Sequence, residues 1–185
     1  MARQVTLTVE DGTIVADANS FVTENQIVAH ALMRGVTLPF TTDVEKDQVA
    51  TLGILAADYL RILPWRGDLV NPLQTMPWPR TNLNMTPSWP DDVIPPAVVE
   101  AQLQLALLSF GGVVLIPTSS GFGFLIKEKI GPIENTYSEK VGVNSNGLPI
   151  LPGISLLLTP WLLGDFDGFI PVLLLSIGGR VPNGC

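Results

Sequence analysis

The feature that most constrains the fold is a stretch rich in tryptophan, proline and arginine, residues 65–81, which lies between two helical patterns. Its three prolines remove backbone donors and fix φ, so neither a helix nor a central strand can run through it. Trp65 and Trp78 are too apolar for a solvated loop, and we expect them to pack beneath the connection or against a partner. The chain must therefore carry a long, ordered and irregular connection between two helices.

The composition favours one domain that has apolar surface left to cover. The 185 residues are 46% hydrophobic and only 15% charged, whereas ordinary soluble domains are about 25% charged. We therefore expect a single domain over residues 1–185, with part of its surface covered by association. The net charge of −7 argues against a large phosphate-binding surface, because such surfaces are built from Lys and Arg.

Cysteine usage and apolar runs indicate the compartment. Cys185 is the one cysteine, so no internal disulfide can form and a reducing compartment fits. The first residues lack the apolar run of a signal peptide. The longest apolar region, residues 150–177, is interrupted by three prolines and two aspartates. We therefore predict no transmembrane segment and no membrane partner.

Apolar periodicity and capping signals predict a mainly α fold, a small helical bundle with a short β-hairpin or extended arm and short terminal strands. The predicted helices cover about residues 23–34, 42–63, 94–110 and 148–163. The predicted extended segments are residues 4–9, 124–130, 133–137 and 169–177. The arm spans residues 121–147, and residues 178–185 form a loose tail.

The residues offer no catalytic set. His30 is the only histidine, and one histidine with the distant Cys185 cannot assemble a zinc site. The acidic pair at 91–92 fits a helix N-terminus, and the pair at 165–167 fits a turn. We therefore predict that the protein is not an enzyme and has no catalytic, metal or cofactor site.

The tryptophans and arginines of the long connection allow two interpretations. Trp65, Arg66, Trp78 and Arg80 fit a packed structural corner, in which the cations lie over rings or donate to the backbone. The same four residues fit a stacking platform for single-stranded DNA. The packed corner is the favoured interpretation.

The arm also allows two interpretations. Lys127 and Lys129 occupy alternate positions of a predicted strand, which is typical of a solvated edge that discourages aggregation. The functional alternative is contact with nucleic acid or with an acidic partner. We predict that the arm lies at a subunit interface or lines a channel lumen, through Phe124, Lys127, Lys129, Ile133 and Tyr137.

The order of several segments resembles that of phage proteins described as DnaT-like, which look like head–tail connector, or adaptor, proteins of tailed phages. The resemblance covers about residues 5–165. The segments that carry it are Ala16–Val22, Ala56–Leu60, Trp65–Gly67, Pro77–Thr81, Ile94–Val98 and Lys127–Glu134.

The resemblance implies a structural virion protein, a ring adaptor between portal and tail that continues the DNA channel. Its implied partners are other copies of itself, twelve in a ring, the portal protein, a tail or tail-terminator protein, and passing double-stranded DNA. Its implied location is the virion neck, after assembly in the host cytoplasm. The alternative is a single-stranded DNA-binding replication accessory protein of the primosomal, DnaT-like type. The acidic balance favours the adaptor.

Overall fold

A computed structural model describes residues 3–117, 127–130, 133–136 and 148–163. Within them the fold is mainly α, as predicted, with four helices and two short antiparallel strand pairs. The elements in chain order are α1 (Glu24–Met33), α2 (Asp43–Arg61), β1 (Asp68–Leu69), β2 (Arg80–Thr81), α3 (Pro96–Phe110), β3 (Lys127–Ile130), β4 (Ile133–Thr136) and α4 (Pro152–Leu158), which continues into a 3-10 turn (Thr159–Trp161).

Helices α2 and α3 form the centre of the fold, and α1 and α4 pack against α3. Small residues permit the close approach of the central helices, since Ala56, Ala57, Ala101 and Ala106 are all fully buried between larger side chains. Gly53 of α2 permits a further close contact, because an added Cβ would lie 3.0 Å from side-chain atoms of Leu7 and of Ile27 in α1. The core is therefore built around closely packed helices rather than around a sheet.

No helix in the described residues is long and apolar enough to cross a bilayer.

Two capping boxes fix where α1 and α2 begin, as the sequence predicts. The Thr23 hydroxyl accepts from the backbone N–H of Gln26, whose side chain accepts from the backbone N–H of Thr23. Thr42 and Glu45 repeat the arrangement at α2. Hydrogen bonds from the Thr41 hydroxyl and the backbone N–H groups of Thr42 and Thr41 lower the pKa of Glu45 to about 2. These satisfied donors stabilise both helix ends.

A buried amide joins three parts of the chain. Gln102 of α3 is fully buried, and its oxygen accepts from the backbone N–H of Phe21 at 2.7 Å. Its nitrogen donates to Ser20 Oγ at 2.8 Å and to the carbonyl of Gly53 at 2.9 Å. The side chain thus satisfies its hydrogen-bonding capacity while it fixes the segment before α1 against α2 and α3.

The predicted strand at residues 4–9 is wrong. Only Val9 pairs, in an isolated parallel bridge with Ser20. Side chains occupy the backbone donors that a ladder would need: Asp47 accepts from the N–H groups of Gln4 and Val5, and Asn19 accepts from the N–H of Thr8. The segment is therefore extended but tied to neighbouring side chains instead of to a second strand.

The fourth helix, predicted over residues 148–163 but shortened or kinked by Pro152 and Pro160, is indeed shorter in the structure. Residues 148–151 are not helical, and α4 begins at Pro152, where the missing proline N–H costs nothing. Pro160 has no backbone N–H to donate, and the chain there forms the 3-10 turn instead of a further α-helical turn. The predicted strand at 169–177 and the tail at 178–185 lie outside the described residues.

The hairpin predicted within the arm is present. Strands β3 and β4 are antiparallel, with Lys127 opposite Thr136, Lys129 opposite Glu134 and Ile130 opposite Ile133. The rest of residues 121–147 lies outside the described residues. The single-domain assignment over residues 1–185 stays a prediction.

The four tryptophans of the chain form one continuous cluster, which we call the tryptophan chain. Trp78 is fully buried and meets Trp65 edge-to-face, with ring centroids 5.8 Å apart, and Trp161 with centroids 5.5 Å apart. Trp161 meets Trp89 in the same geometry at 4.9 Å. Each such pair contributes about 0.5–1.5 kcal/mol beyond the area that it buries. The cluster therefore anchors the long irregular connection to the end of α4.

Removal of the α2 cap should weaken the fold by a small, measurable amount. We expect Thr42→Ala to lower the free energy of unfolding by about 1 kcal/mol, because the N–H of Glu45 loses its acceptor. Urea denaturation followed by far-ultraviolet circular dichroism measures the change. Thr51→Ala, in the interior of the same helix, is the matched control and should be neutral or stabilising. An equal loss in both variants would contradict the capping role.

Truncation of the buried indole should cost much more. We expect Trp78→Ala to lower the free energy of unfolding by about 3–5 kcal/mol, because it empties the centre of the tryptophan chain. Trp78→Phe should lose less, since it keeps a ring and removes an N–H that has no hydrogen-bond partner among the described residues. Chemical denaturation of both variants measures the difference. Equal losses in the two variants would show that ring packing is not what stabilises the connection.

Candidate functional site

The two arginines of the long connection donate to backbone carbonyls. Arg66 Nε donates to the carbonyl of Leu162 at 2.6 Å, and β-bridge pairing joins Trp65 to the same residue. Arg80 donates to the carbonyl of Arg66 at 2.6 Å and to that of Gly67 at 2.6 Å. Burial lowers the pKa of Arg80, and the charge of Asp68 opposes this shift. Both guanidinium groups therefore brace the connection from inside.

The same geometry leaves little of the four residues available to a base. Trp65 is buried and donates its indole N–H to the carbonyl of Leu60 at 2.7 Å, while Trp78 has no exposed surface. A stacking platform needs ring faces that are open to solvent. The four residues lie together as one packed corner. The rings of Trp65 and Trp78 present no face that is open to solvent.

Trp89 and Trp161 also belong to this cluster, although sequence reasoning did not connect them with the corner. One signal could have found them: each tryptophan of the chain is adjacent to a proline. Proline removes a backbone donor and restricts the chain, so a neighbouring large ring tends to pack against an irregular segment. The pairs are Pro64-Trp65, Trp78-Pro79, Trp89-Pro90 and Pro160-Trp161.

The other arginines of residues 3–117, here called the helical part, are held in ion pairs. Arg3 pairs with Glu24, Arg34 Nη2 lies 2.8 Å from Glu100 Oε1, and Arg61 pairs within its own helix. Lys46 differs, because its Nζ lies 5.9 Å from the centroid of the Phe40 ring. The cations that could meet phosphates are therefore already largely committed in this part of the chain.

Charge is unevenly distributed along the sequence. Residues 3–117 contain twelve carboxylates and six cations, which gives a net charge of −6. Residues 118–147, which include β3 and β4, contain three of each and are neutral. The acidic excess of the chain therefore lies in residues 3–117 and not in the segment that contains the hairpin.

The structure places three of the five predicted arm residues on the hairpin. Lys127 and Lys129 lie on β3, and Ile133 begins β4. Positions two residues apart on a strand share one face, so both lysine positions belong to the same face. Phe124 and Tyr137 lie outside the described residues.

His30 is a packed residue of α1. It is buried, and its Nδ1 lies 3.1 Å from Arg34 Nη1 and 3.8 Å from Glu100 Oε2. Burial and the charge of Arg34 lower the pKa of His30, while Glu100 opposes them. A neutral imidazole that accepts from Arg34 fits this environment. Among the described residues, no group of His, Cys, Asp and Glu side chains could hold a metal ion.

Comparison with protein families gives a match over most of the chain. Residues 5–171 match a family described as "Putative DnaT-like ssDNA binding protein". No curated protein and no solved structure matches the chain.

The match corrects the predicted function. A head–tail adaptor ring with portal and tail partners was the main prediction, and it is wrong, because the matching family is described by single-stranded DNA binding and not as a connector. The predicted alternative agrees with that description. The location in the virion neck is an expectation that no comparison tests. Because the match extends over most of its length, the chain belongs to this DnaT-like family.

Proposed function

We propose that this protein binds single-stranded DNA as a non-catalytic accessory protein of replication, and that hairpin β3–β4 supplies its phosphate contacts. The observation that carries the proposal is membership of the DnaT-like family over residues 5–171.

The helical part is a poor surface for phosphates. Its net charge is −6, and its arginines donate to carboxylates or to backbone carbonyls. Arg34 already donates to Glu100 through Nη2, and Arg66 donates to the carbonyl of Leu162 through Nε, so part of the donor capacity of each guanidinium is used within the protein.

The hairpin offers two lysine positions, of which Lys127 lies opposite Thr136 and Lys129 lies opposite Glu134. Lys127 and Lys129 share one face of β3, at a spacing near 6–7 Å along the strand. Adjacent phosphates of an extended single strand can be met by cations at such a spacing, without any sequence information. A site with two lysines gives modest affinity, and the affinity should fall only gently with salt.

Removal of the hairpin lysines should flatten the salt dependence of binding. For single strands, log K falls with log salt by about 0.7 for each phosphate neutralised. We therefore expect Lys127→Gln and Lys129→Gln to reduce the slope by about 0.7 each, and the double variant by about 1.4. Fluorescence anisotropy of a labelled oligothymidine, titrated at several salt concentrations, measures the slope.

The matched control is Lys46→Gln, which removes the same charge from α2. It should leave the slope within error of the unmodified protein. If Lys46→Gln reduces the slope as much as the hairpin variants do, the hairpin assignment is wrong. If the unmodified protein does not bind oligothymidine at low salt, the proposed function itself fails.

A further inference from the structure

An open groove runs along the outer side of α2. It has a volume of about 530 Å³ and lies between the first half of α2, the loop before it and the end of α3. This volume is within the range of about 300–1,000 Å³ that is typical of binding sites. Its apolar lining is formed by Leu38, Pro39, Val44, Val49, Leu52 and Phe110.

A second, smaller cavity continues the groove along the helix. It has a volume of about 260 Å³, is lined by Leu55 and the segment 112–116, and shares Ser109 with the first. From Val44 to Leu55 the helix rises by about 16 Å, or three turns. The two cavities together offer an apolar surface, here called the α2 groove, as long as a short amphipathic helix.

The α2 groove is open in the described part of the chain. Val44 is 54% exposed and Phe110 is 45% exposed, and Val114 and Leu55 are also exposed. Among the exposed large hydrophobic residues, Phe110 is the one aromatic within the described residues. Clustered apolar side chains of this kind mark interaction surfaces more often than isolated ones do.

The rim of the α2 groove is acidic. Asp43 and Asp47 line it, and no lysine or arginine does so among the described residues. Asp47 is partly committed, because it accepts from the N–H of Gln4 at 2.9 Å and lies 3.5 Å from Arg3 Nε. Asp43, in the first turn of α2, is the carboxylate that remains for an incoming cation.

From these observations we infer that the α2 groove binds an amphipathic helix with basic residues, supplied by a partner protein. Apolar side chains of the partner at helical spacing would fill the groove against Val44, Leu55 and Phe110, and a lysine or arginine would meet Asp43. The acidic rim disfavours a phosphate backbone, and two copies that met through this face would bring the same carboxylates, Asp43 and Asp47, together. No residue of the hairpin lines the α2 groove.

A synthetic peptide tests the inference on the full chain. The probe is a fluorescein-labelled 14-residue peptide of leucine and lysine, with leucine at helical spacing, and the comparison peptide replaces each lysine with glutamate. Anisotropy should show saturable binding of the lysine peptide, weakened by salt, and none of the glutamate peptide. We expect Val44→Arg to weaken binding at least tenfold, because it places a cation in the groove.

The matched control is Val70→Arg, which makes the same change at another exposed valine, outside the α2 groove. It should leave the peptide affinity unchanged. Equal weakening by both variants, or equal binding of both peptides, would overturn the inference. So would a tenfold loss of oligothymidine affinity in Phe110→Ala, because the groove would then belong to DNA. A dimer that Val44→Arg dissociates in sedimentation analysis would identify a second copy as the occupant and overturn it too.

The two proposals fail separately. Loss of oligothymidine binding in the Lys127→Gln, Lys129→Gln double variant should leave peptide binding unchanged, since the α2 groove contains neither lysine. If the lysine peptide does not bind the unmodified chain, the groove inference is wrong whatever the result with DNA.

Discussion

The burial of Trp78 between Trp65 and Trp161 holds the long connection against the end of α4. It thereby determines which side chains remain available to a ligand. The contact ties the end of α2 to the end of α4 across about a hundred residues of sequence, and Arg66 reinforces it through the carbonyl of Leu162. Because the rings of Trp65 and Trp78 are buried, their faces are not available to a ligand. A function that needs bases to stack on indole rings must therefore be located away from these two residues.

Local signals in the sequence predicted α1 and α2 well. The caps at Thr23 and Thr42 depend on residues three positions away, so the pattern contains the whole interaction. The predicted strand at 4–9 is wrong because the competing acceptor, Asp47, lies more than forty residues away in the sequence. The alternation of polar and apolar residues contains no information about such a distant acceptor. The bonds from Gln102 to Ser20 and Phe21 are equally non-local. The residue types of the long connection predicted a packed corner. The contact of Trp161 with this corner could not be predicted, because it forms only when the chain folds.

The preference for an adaptor over a DNA-binding protein depended on net charge averaged over the whole chain. That average hides a separation: the carboxylates are concentrated in the helical part, while the segment around β3 and β4 is neutral and holds Lys127 and Lys129. Two lysines on one face of a hairpin are a weak signal in a sequence, and only the commitment of Arg34, Arg66 and Arg80 to internal partners makes them prominent. The α2 groove was not predictable at all, because Val44 and Phe110 meet only after α2 and α3 pack.

The central claim is that the tryptophan chain supports the fold while DNA binds away from it. Intrinsic tryptophan emission tests this most directly, because all four indoles belong to the one cluster and bases that stack on an indole quench it. The unmodified protein is titrated with labelled oligothymidine, and tryptophan emission and label anisotropy are recorded together. The account predicts that anisotropy rises to saturation while tryptophan emission stays constant. Quenching that follows the same binding curve would contradict it.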